Sequence, residues 1–236
     1  MIFNSKSTIA IVTGSSRGIG KSIKNKLESK GITVIGVYRN AKEEKNDKKC
    51  DLRKESDVKN LVNDIIDEYD KIDVLVNNAG IVTTADISKT KLYDWNNVLS
   101  TNLTGPFLLC KYVLPHMKNQ QYGKIVNVSS IAARSYSKTA SVEYTVSKYG
   151  LIGLTKQLAY KYGQFGINVN CICPSQTKTE MLIKNLTKKE ILNIEKHIPL
   201  GKIAEPEQIA DVVNFLCSDQ SNYIHGSVID INGGQI

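Results

Sequence analysis

The chain lacks any long apolar run, and none approaches the roughly 20 residues that a membrane-spanning helix needs. Its first eight residues are mostly polar and do not have the apolar stretch of a secretory signal. There are only five cysteines, an odd number, and all are widely spaced except Cys171 and Cys173. That pair does not have the spacing of a zinc site. The pattern excludes a disulfide scaffold and predicts buried free thiols in a reducing, cytoplasmic setting.

Metal ligands are scarce as well. The three histidines, His116, His197 and His225, are far apart and have no metal-ligand spacing, so we expect no metal site. The net charge is +8, from 31 Lys+Arg against 23 Asp+Glu, but the lysines are spread along the whole chain. This favours a solvated basic surface over a nucleic-acid partner, for which no recognition motif is present.

What the chain does contain is an alternation of strand-like and helical segments in an ordinary globular composition, 41% hydrophobic and 23% charged. Strands are predicted at 9–12, 33–38, 72–76, 124–128, 167–173 and 228–231, with a short one ending at Cys50. Helices are predicted at 18–30, 56–69, 92–118, 144–162 and 206–217. This order indicates βαβ units and a doubly wound, parallel α/β sheet of the Rossmann type.

No Pro-, Gly- or Ser-rich linker divides the sequence, so we expect a single domain over residues 1–236. Residues 174–205 are the least regular part of the pattern. We predict that they form a mobile segment over a site at the carboxyl ends of the strands.

A glycine-rich loop at residues 13–20, Thr-Gly-Ser-Ser-Arg-Gly-Ile-Gly, joins the first strand to the first helix. Glycines let the backbone turn tightly and approach a diphosphate, whose charge then faces the helix N-terminus. The second strand ends at Tyr38 and is followed by Arg39, while Arg17 lies in the glycine loop. Two guanidiniums offered to a phosphate favour NADP(H) over NAD(H).

Tyr144 and Lys148 are four residues apart and therefore on one face of a helix. A cation near a phenol lowers its pKa, which suits proton exchange with a carbonyl oxygen near neutral pH. Ser129 and Ser130 end the preceding strand, and a serine there can polarise a substrate oxygen. Asn102 lies inside the long helix before them, where its side chain could bend the helix or hold a water.

These motifs, taken together, resemble the short-chain dehydrogenase/reductase family over nearly the whole chain. The matching segments are T-G-x-x-x-G-I-G at 13–20, C-D-L at 50–52, N-N-A-G at 77–80, Asn102-Leu, I-V-N-V-S-S and Y-x-x-x-K at 144–148. The downstream segments at 198–202, 206–210 and 230–234 resemble the branch of 3-oxoacyl-[acyl-carrier-protein] reductases.

The resemblance implies catalytic roles. Tyr144 would be the general acid in reduction, Lys148 would bind the nicotinamide ribose and lower the Tyr144 pKa, and Ser130 would orient the carbonyl. Asn102 would hold a water that links Lys148 to solvent. The same resemblance implies a cofactor-binding set, which comprises Gly14, Ser16, Arg17, Gly18, Ile19, Arg39, Asp51, Leu52, Asn78, Ala79, Gly80, Tyr144, Lys148, Pro174, Thr177 and Thr179.

Within that set, Asp51 and Leu52 would flank adenine. The leading function is an NADPH-dependent carbonyl reductase acting on a small-molecule or carrier-bound acyl substrate, with a 3-oxoacyl thioester as the best single choice. Arg134 and Lys138 are candidates to face an acidic group on such a substrate.

Two alternatives stay open. Ser175 stands where the family has glycine, and Ser130 and Tyr144 are one position further apart than is commonest, which motivates a dehydrogenase or reductase of a sugar, polyol or other small alcohol. A non-catalytic dinucleotide-binding regulator is the third reading, because a fold does not fix a function.

By analogy with the family, we expect a homotetramer or homodimer formed through the helices around 92–118 and 144–163 and the C-terminal strand region.

Overall fold

The computed structural model describes residues 8–40, 46–137, 139–183 and 186–236. Within this part of the chain, seven strands form one parallel sheet in the order β3-β2-β1-β4-β5-β6-β7. The strands are β1 (Ile9–Thr13), β2 (Thr33–Tyr38), β3 (Lys48–Lys49), β4 (Val74–Asn77), β5 (Gly123–Val128), β6 (Ile167–Pro174) and β7 (Val228–Ile231). The predicted doubly wound α/β fold is confirmed.

Helices cover both faces of this sheet, as a parallel sheet requires. They are α1 (Gly18–Glu28), α2 (Glu55–Tyr69), α3 (Leu92–Leu99), α4 (Gly105–Gln120), α5 (Val142–Tyr162), α6 (Glu180–Ile183), α7 (Lys188–Glu195) and α8 (Pro206–Leu216). Successive side chains of a strand point to opposite faces, so β1 contributes Ile11 to the core under α2, α4 and α5, and Val12 to the core under α1 and α8.

The strand order reverses at β1, which pairs with β2 on one side and β4 on the other. At such a switch point the connections leave in opposite directions and open a crevice at the carboxyl ends of the strands. The glycine-rich loop follows β1 and therefore lies at this crevice.

The predicted helical stretch over 92–118 is present, but it is not a single regular α-helix. The structure divides it into α3 and α4, joined by one wider helical turn over Ser100–Thr104, and α4 continues to Gln120. The backbone N–H of Gly105 donates to the carbonyl of Ser100, five residues earlier, as in a π-helical turn. Such turns occur frequently at functional sites, and Asn102 lies in this one.

The two segments that looked irregular in sequence are short or broken in the structure. Only Lys48–Lys49 forms a third strand before Cys50, and residues 41–45, which precede it, lie outside the described part. Residues 174–205 include α6 and α7 and a single bridge between Thr177 and Ala204. Mobility of this segment stays a prediction.

All five cysteines are free and buried, which confirms the expected state of the thiols. Among the described residues, none of the helices is both long and apolar enough to cross a membrane.

Gly20 provides a test of how closely the loop packs. A Cβ at Gly20 would lie 2.1 Å from the carbonyl oxygen of Gly14 and 2.4 Å from Nδ2 of Asn78. We expect Gly20→Ala to lower the free energy of unfolding by about 1–3 kcal/mol or more, because overpacking forces backbone shifts. The measurement is chemical denaturation.

The matched control is Lys21→Ala, at the next position of α1, where the side chain is exposed. We expect a change within about 0.5 kcal/mol there. Equal stability of the two variants would contradict the close approach of the loop to β4.

Candidate active site

A cleft of about 690 Å³ opens at the carboxyl ends of the strands, on the switch point between β1 and β4. Most of the predicted cofactor-binding residues line it: Gly14, Ser16, Arg17, Gly18, Ile19, Arg39, Asp51, Leu52, Asn78, Ala79, Gly80 and Thr179. The structure thus brings residues from β1, β2, β4 and the segment after β6 to one place.

The floor of the cleft is the glycine-rich loop. Gly14 and Gly18 have φ values of +66° and +54°, a left-handed region that favours glycine. A Cβ at Gly14 would lie 2.9 Å from the Cα of Ala79, so the loop and the end of β4 are almost in contact. Thr13 connects them further, because its Oγ1 accepts hydrogen bonds from the backbone N–H groups of Asn78 and Ala79.

The N-terminus of α1 faces the cleft without a side-chain cap. Arg17 is at the N-cap position and makes no capping bond, and no acidic residue lies in the first turn. The first N–H groups of the helix therefore keep their hydrogen-bonding capacity for an anion. This uncapped end, together with the glycine cradle, fits the diphosphate of a dinucleotide.

Arg17 and Arg39 are exposed along one side of the cleft. Neither side chain takes part in an ion pair within the described ranges. Asp51, by contrast, is paired, and the hydrogen-bonded guanidinium of Arg53 lowers the pKa of the Asp51 carboxyl to about 2. Arg53 lines the same part of the cleft, and sequence reasoning missed it. The sequence did contain a signal for this ion pair, because a carboxylate and a guanidinium stand two positions apart.

The catalytic candidates gather next to Gly80, which lines the cleft, although they are not themselves among its lining residues. A Cβ at Gly80 would lie 3.4 Å from both Nζ of Lys148 and Oδ1 of Asn102, so both groups lie close to this glycine. Nζ of Lys148 is 5.7 Å from the centre of the Tyr144 ring. The Ser130 hydroxyl lies near the Tyr144 phenol and acts to lower its pKa.

Buried polar contacts hold α5 in the orientation that this arrangement requires. Nζ of Lys148 donates to the carbonyl of Val128, 2.8 Å away, and Oγ of Ser129 donates to the carbonyl of Lys148 at the same distance. One turn beyond Leu151, Oγ1 of Thr155 accepts from Nδ2 of Asn127 in β5. These bonds attach α5 to β5 and the residue that follows it, at Lys148 and again at Thr155.

The pKa values in this group are set mainly by burial. Burial raises the pKa of Tyr144, and the Ser130 hydroxyl offsets this only in part. Burial lowers the pKa of Lys148 to about 8. We expected the cation to lower the Tyr144 pKa, but in the protein alone removal of the phenolate from water is the larger effect. A raised pKa keeps the phenol protonated at neutral pH.

Asn102 is fully buried in the wide turn between α3 and α4. Its Oδ1 accepts from the backbone N–H of Ile81, and its Nδ2 donates to the Ile81 carbonyl and to Oγ of Ser147. The side chain therefore fixes the segment after β4 and touches α5. Its role in a water relay remains a prediction.

The segment after β6 folds back toward the glycine loop. A Cβ at Gly18 would lie 3.1 Å from Cγ2 of Thr179. Thr177 is buried, and its Oγ1 donates to the carbonyl of Ser175. Pro174 is the last residue of β6. Pro174 and Thr177 are not among the residues that line the cleft, so their contact with a cofactor stays a prediction.

Arg134 faces a partner within the protein. Its Nε donates to the carboxylate of Asp230 in β7, at 2.8 and 3.2 Å, so its charge is largely compensated. The hydroxyl of Tyr149 donates to the Ser135 carbonyl and holds the same loop on α5. Lys138, the second candidate for an acidic substrate group, lies outside the described residues. Among the described residues, none of the groupings of His, Cys, Asp and Glu could hold a metal ion.

Comparison with known proteins places this geometry in a class. A family model described as enoyl-(acyl carrier protein) reductase matches residues 14–235. The 3-oxoacyl-[acyl-carrier-protein] reductase of Aquifex aeolicus is 38% identical over 240 residues, 96% of each chain. The acetoacetyl-CoA reductase of Shinella zoogloeoides is 38% identical over 240 residues, 97% of this chain and 98% of that protein.

A solved structure shows the same fold. Ligand-free aldohexose dehydrogenase of Thermoplasma acidophilum superposes with a TM-score of 0.92 at 31% identity, over 100% of this chain and 96% of that one. The relatives indicate an oxidoreductase with a nicotinamide dinucleotide as cofactor. The chain belongs to the short-chain dehydrogenase/reductase family, as its motifs predict.

Lys148 allows a test through pH. Below pH 8 the folded protein must hold a buried cation, whereas the unfolded lysine keeps its proton up to its ordinary pKa of 10.5. The unfolded state therefore binds more protons between these values, and stability rises with pH by about 1.4 kcal/mol per pH unit from this group. In Lys148→Met this contribution is absent.

Between pH 8 and 10.5 we expect the free energy of unfolding of wild type to rise relative to that of Lys148→Met as the pH rises. Urea denaturation of both proteins across that range measures it. Parallel stability profiles would mean that the buried amine does not titrate there.

Proposed function

We propose that the protein is an NADPH-dependent carbonyl reductase that converts a 3-oxoacyl thioester to the 3-hydroxyacyl thioester. The observation that carries the proposal is the meeting of Ser130, Tyr144 and Lys148 at the end of the dinucleotide cleft. A proton donor beside a bound nicotinamide serves a reduction and has no purpose in a regulator that only binds. The reductases of Aquifex aeolicus and Shinella zoogloeoides support the choice of substrate class.

A bound reduced nicotinamide supplies the hydride, while the protein supplies position and a proton. The uncapped start of α1 and the cradle at Gly14 would hold the diphosphate. Asn78, Ala79 and Gly80 would lie along the ribose, because they form the wall between this loop and Lys148. Thr177 and Thr179, in the segment over the loop, would face the carboxamide.

Tyr144 would donate its proton to the carbonyl oxygen as negative charge develops there. Ser130 would donate a hydrogen bond to the same oxygen and so orient the substrate. After transfer, the Lys148 cation would stabilise the phenolate and, through a water held near Asn102, connect it to solvent. The raised pKa of Tyr144 suits this direction, because a proton donor must enter the reaction protonated.

NADPH is preferred over NADH in this proposal because of Arg17 and Arg39. Both guanidiniums are exposed at the cleft and are not paired with a carboxylate among the described residues. The second strand ends in Tyr38 and not in an acidic residue, so no carboxylate stands there to repel a 2′-phosphate.

A second candidate is oxidation of a sugar. The observation in its favour is the likeness to the aldohexose dehydrogenase of Thermoplasma acidophilum. Ser175 and the long loop after Ser130, which distinguish the walls of the substrate space, are compatible with either substrate.

We also propose that the chain self-associates through the outer face of α5. Val142, Val146, Tyr149 and Tyr160 are exposed, and their spacing of four, three and eleven residues places them on one side of the helix. Large apolar side chains concentrated in one stripe are typical of an interaction surface.

The substrate proposal is tested with purified protein. We expect NADPH to be oxidised with acetoacetyl thioesters, and we expect no comparable reduction of NADP⁺ or NAD⁺ with aldohexoses. Absorbance of the reduced nicotinamide follows both reactions. The opposite pattern would favour the sugar dehydrogenase.

In the same assay, Tyr144→Phe should lower kcat by about a hundredfold or more, because general acid catalysis is removed. Tyr223→Phe is the matched control, since the side chain of Tyr223 is fully exposed and is not part of the site. Its kcat should remain close to wild type. Full activity of Tyr144→Phe would overturn the mechanism.

Cofactor preference is tested at Arg39. We expect Arg39→Met to weaken NADPH binding about tenfold or more, because a hydrogen bond to a charged group is lost, and to leave NADH binding nearly unchanged. Fluorescence titration of the reduced nicotinamide measures both dissociation constants. Lys30→Met, the same change of charge at an exposed site beyond the far end of α1, is the control. Equal weakening of NADPH and NADH would show that Arg39 does not bind the 2′-phosphate.

A further inference from the structure

The end of the cleft opposite Lys148 must receive the second nucleoside of a dinucleotide, if the proposed function holds. The reacting groups lie beyond Gly80, and the diphosphate position at α1 lies between them and the β2 side. The remaining part of the lining contains Tyr38, Asp51 and Arg53. A base in this part of the cleft would therefore meet an acidic and a basic side chain.

Asp51 and Arg53 hold each other in a fixed geometry. Oδ1 of Asp51 accepts from Nε of Arg53 at 2.8 Å and from its backbone N–H at 3.2 Å. Oδ2 accepts from Nη2 of Arg53 at 2.6 Å. The remaining terminal nitrogen of the guanidinium, Nη1, donates to Oδ1 of Asn97 in α3 at 2.8 Å. The guanidinium of Arg53 is thus held by Asp51 on one side and by Asn97 on the other, whereas a mobile ion pair at a surface has no such second contact.

The acceptor capacity of the Asp51 carboxylate is nearly used. A carboxylate has about four lone-pair positions, and Arg53 occupies three of them, two on Oδ1 and one on Oδ2. One acceptor position is left, on Oδ2. Asp51 lines the cleft with 16% of its side chain exposed, so a bound group can reach it.

The protonation state of Asp51 also supports its role as a hydrogen-bond acceptor. The Arg53 hydrogen bond is the largest cause of the low Asp51 pKa, with a smaller effect of the charge on Arg39. At neutral pH the carboxylate is therefore ionised and can only accept hydrogen bonds.

We propose that Arg53 is a positioning residue that turns the last acceptor position of Asp51 toward the base, and that this selects a 6-aminopurine over a 6-oxopurine. The exocyclic amine of adenine is a donor that fits an acceptor. The carbonyl of hypoxanthine at the same position would put two acceptors against each other. The specificity depends on the orientation of the carboxylate, because a freely rotating one could turn away and bind water.

The test compares NADPH with its deaminated analogue, in which hypoxanthine replaces adenine. Dissociation constants are measured by nicotinamide fluorescence, without turnover. We expect wild type to prefer NADPH by about tenfold, since a hydrogen bond to a charged group is involved. In Arg53→Met the preference should fall to about twofold or less, mainly through weaker binding of NADPH.

Two variants separate orientation from other effects. Arg53→Lys keeps the charge but cannot bind both oxygens in parallel, and it should lose the preference as Arg53→Met does. Arg39→Met should weaken both compounds equally and keep the tenfold preference, because both carry the 2′-phosphate. Asn97→Ala, which removes only the contact from α3, should reduce the preference partially and gives an independent reading if Arg53→Met folds poorly.

The outcomes are distinct. Equal affinity of wild type for the two compounds, or a preference that survives both Arg53→Met and Arg53→Lys, would overturn this inference and leave the proposed reductase intact. Equal weakening of both compounds by Arg53→Met would assign Arg53 to general anchoring and also overturn it. Failure of wild type to bind any dinucleotide would overturn the proposed function itself.

Discussion

The site depends on the attachment of α5 to the sheet by buried hydrogen bonds. Apolar residues occur on all sides of α5, so hydrophobic burial alone does not set the rotation of the helix about its axis. The rotation is set by three hydrogen bonds between polar groups. Lys148 binds the Val128 carbonyl, Ser129 binds the Lys148 carbonyl, and Thr155 binds Asn127.

The chain of polar groups extends across the sheet, because Nδ2 of Asn77 donates to Oδ1 of Asn127 at 2.8 Å. A buried polar network of this kind is specific, since any other rotation would leave its members unpaired in a low dielectric. The same surroundings set the pKa values of Tyr144 and Lys148. The buried surroundings that fix the rotation of α5 therefore also set the protonation of its catalytic candidates.

The sequence was sufficient to predict the sheet, the glycine loop and the meeting of Ser130, Tyr144 and Lys148. The sheet, the loop and the Tyr144–Lys148 pair follow from local rules, namely hydrophobic period, turn chemistry at glycines, and the four-residue repeat of a helix, whereas the role of Ser130 came from the resemblance to the family. The wide turn at Ser100–Thr104 was not predicted, because a pattern typical of a helix does not distinguish an α-helical turn from a single wider one. It is determined by tertiary contacts such as those of Asn102 with Ile81 and Ser147.

Charge partners also escaped prediction. Arg134 looked available for a substrate, but Asp230, which binds it, is 96 residues away in the chain. The direction of the Tyr144 pKa shift depends on burial, which raises the pKa, and on the Ser130 hydroxyl, which lowers it, and spacing along a helix gives neither effect. Such balances become accessible only when the surroundings of each group are known.

The helix that is divided at Ser100–Thr104 contacts both ends of the cleft. On one side of the wide turn, Asn97 holds Arg53 at the end that would receive the base; within the turn, Asn102 holds Ile81 beside Gly80 and Lys148. The two ends therefore belong to one continuous helical element and cannot separate independently. The distance between the two ends of the cleft, and with it the span of a ligand that reaches both, is set by this helix.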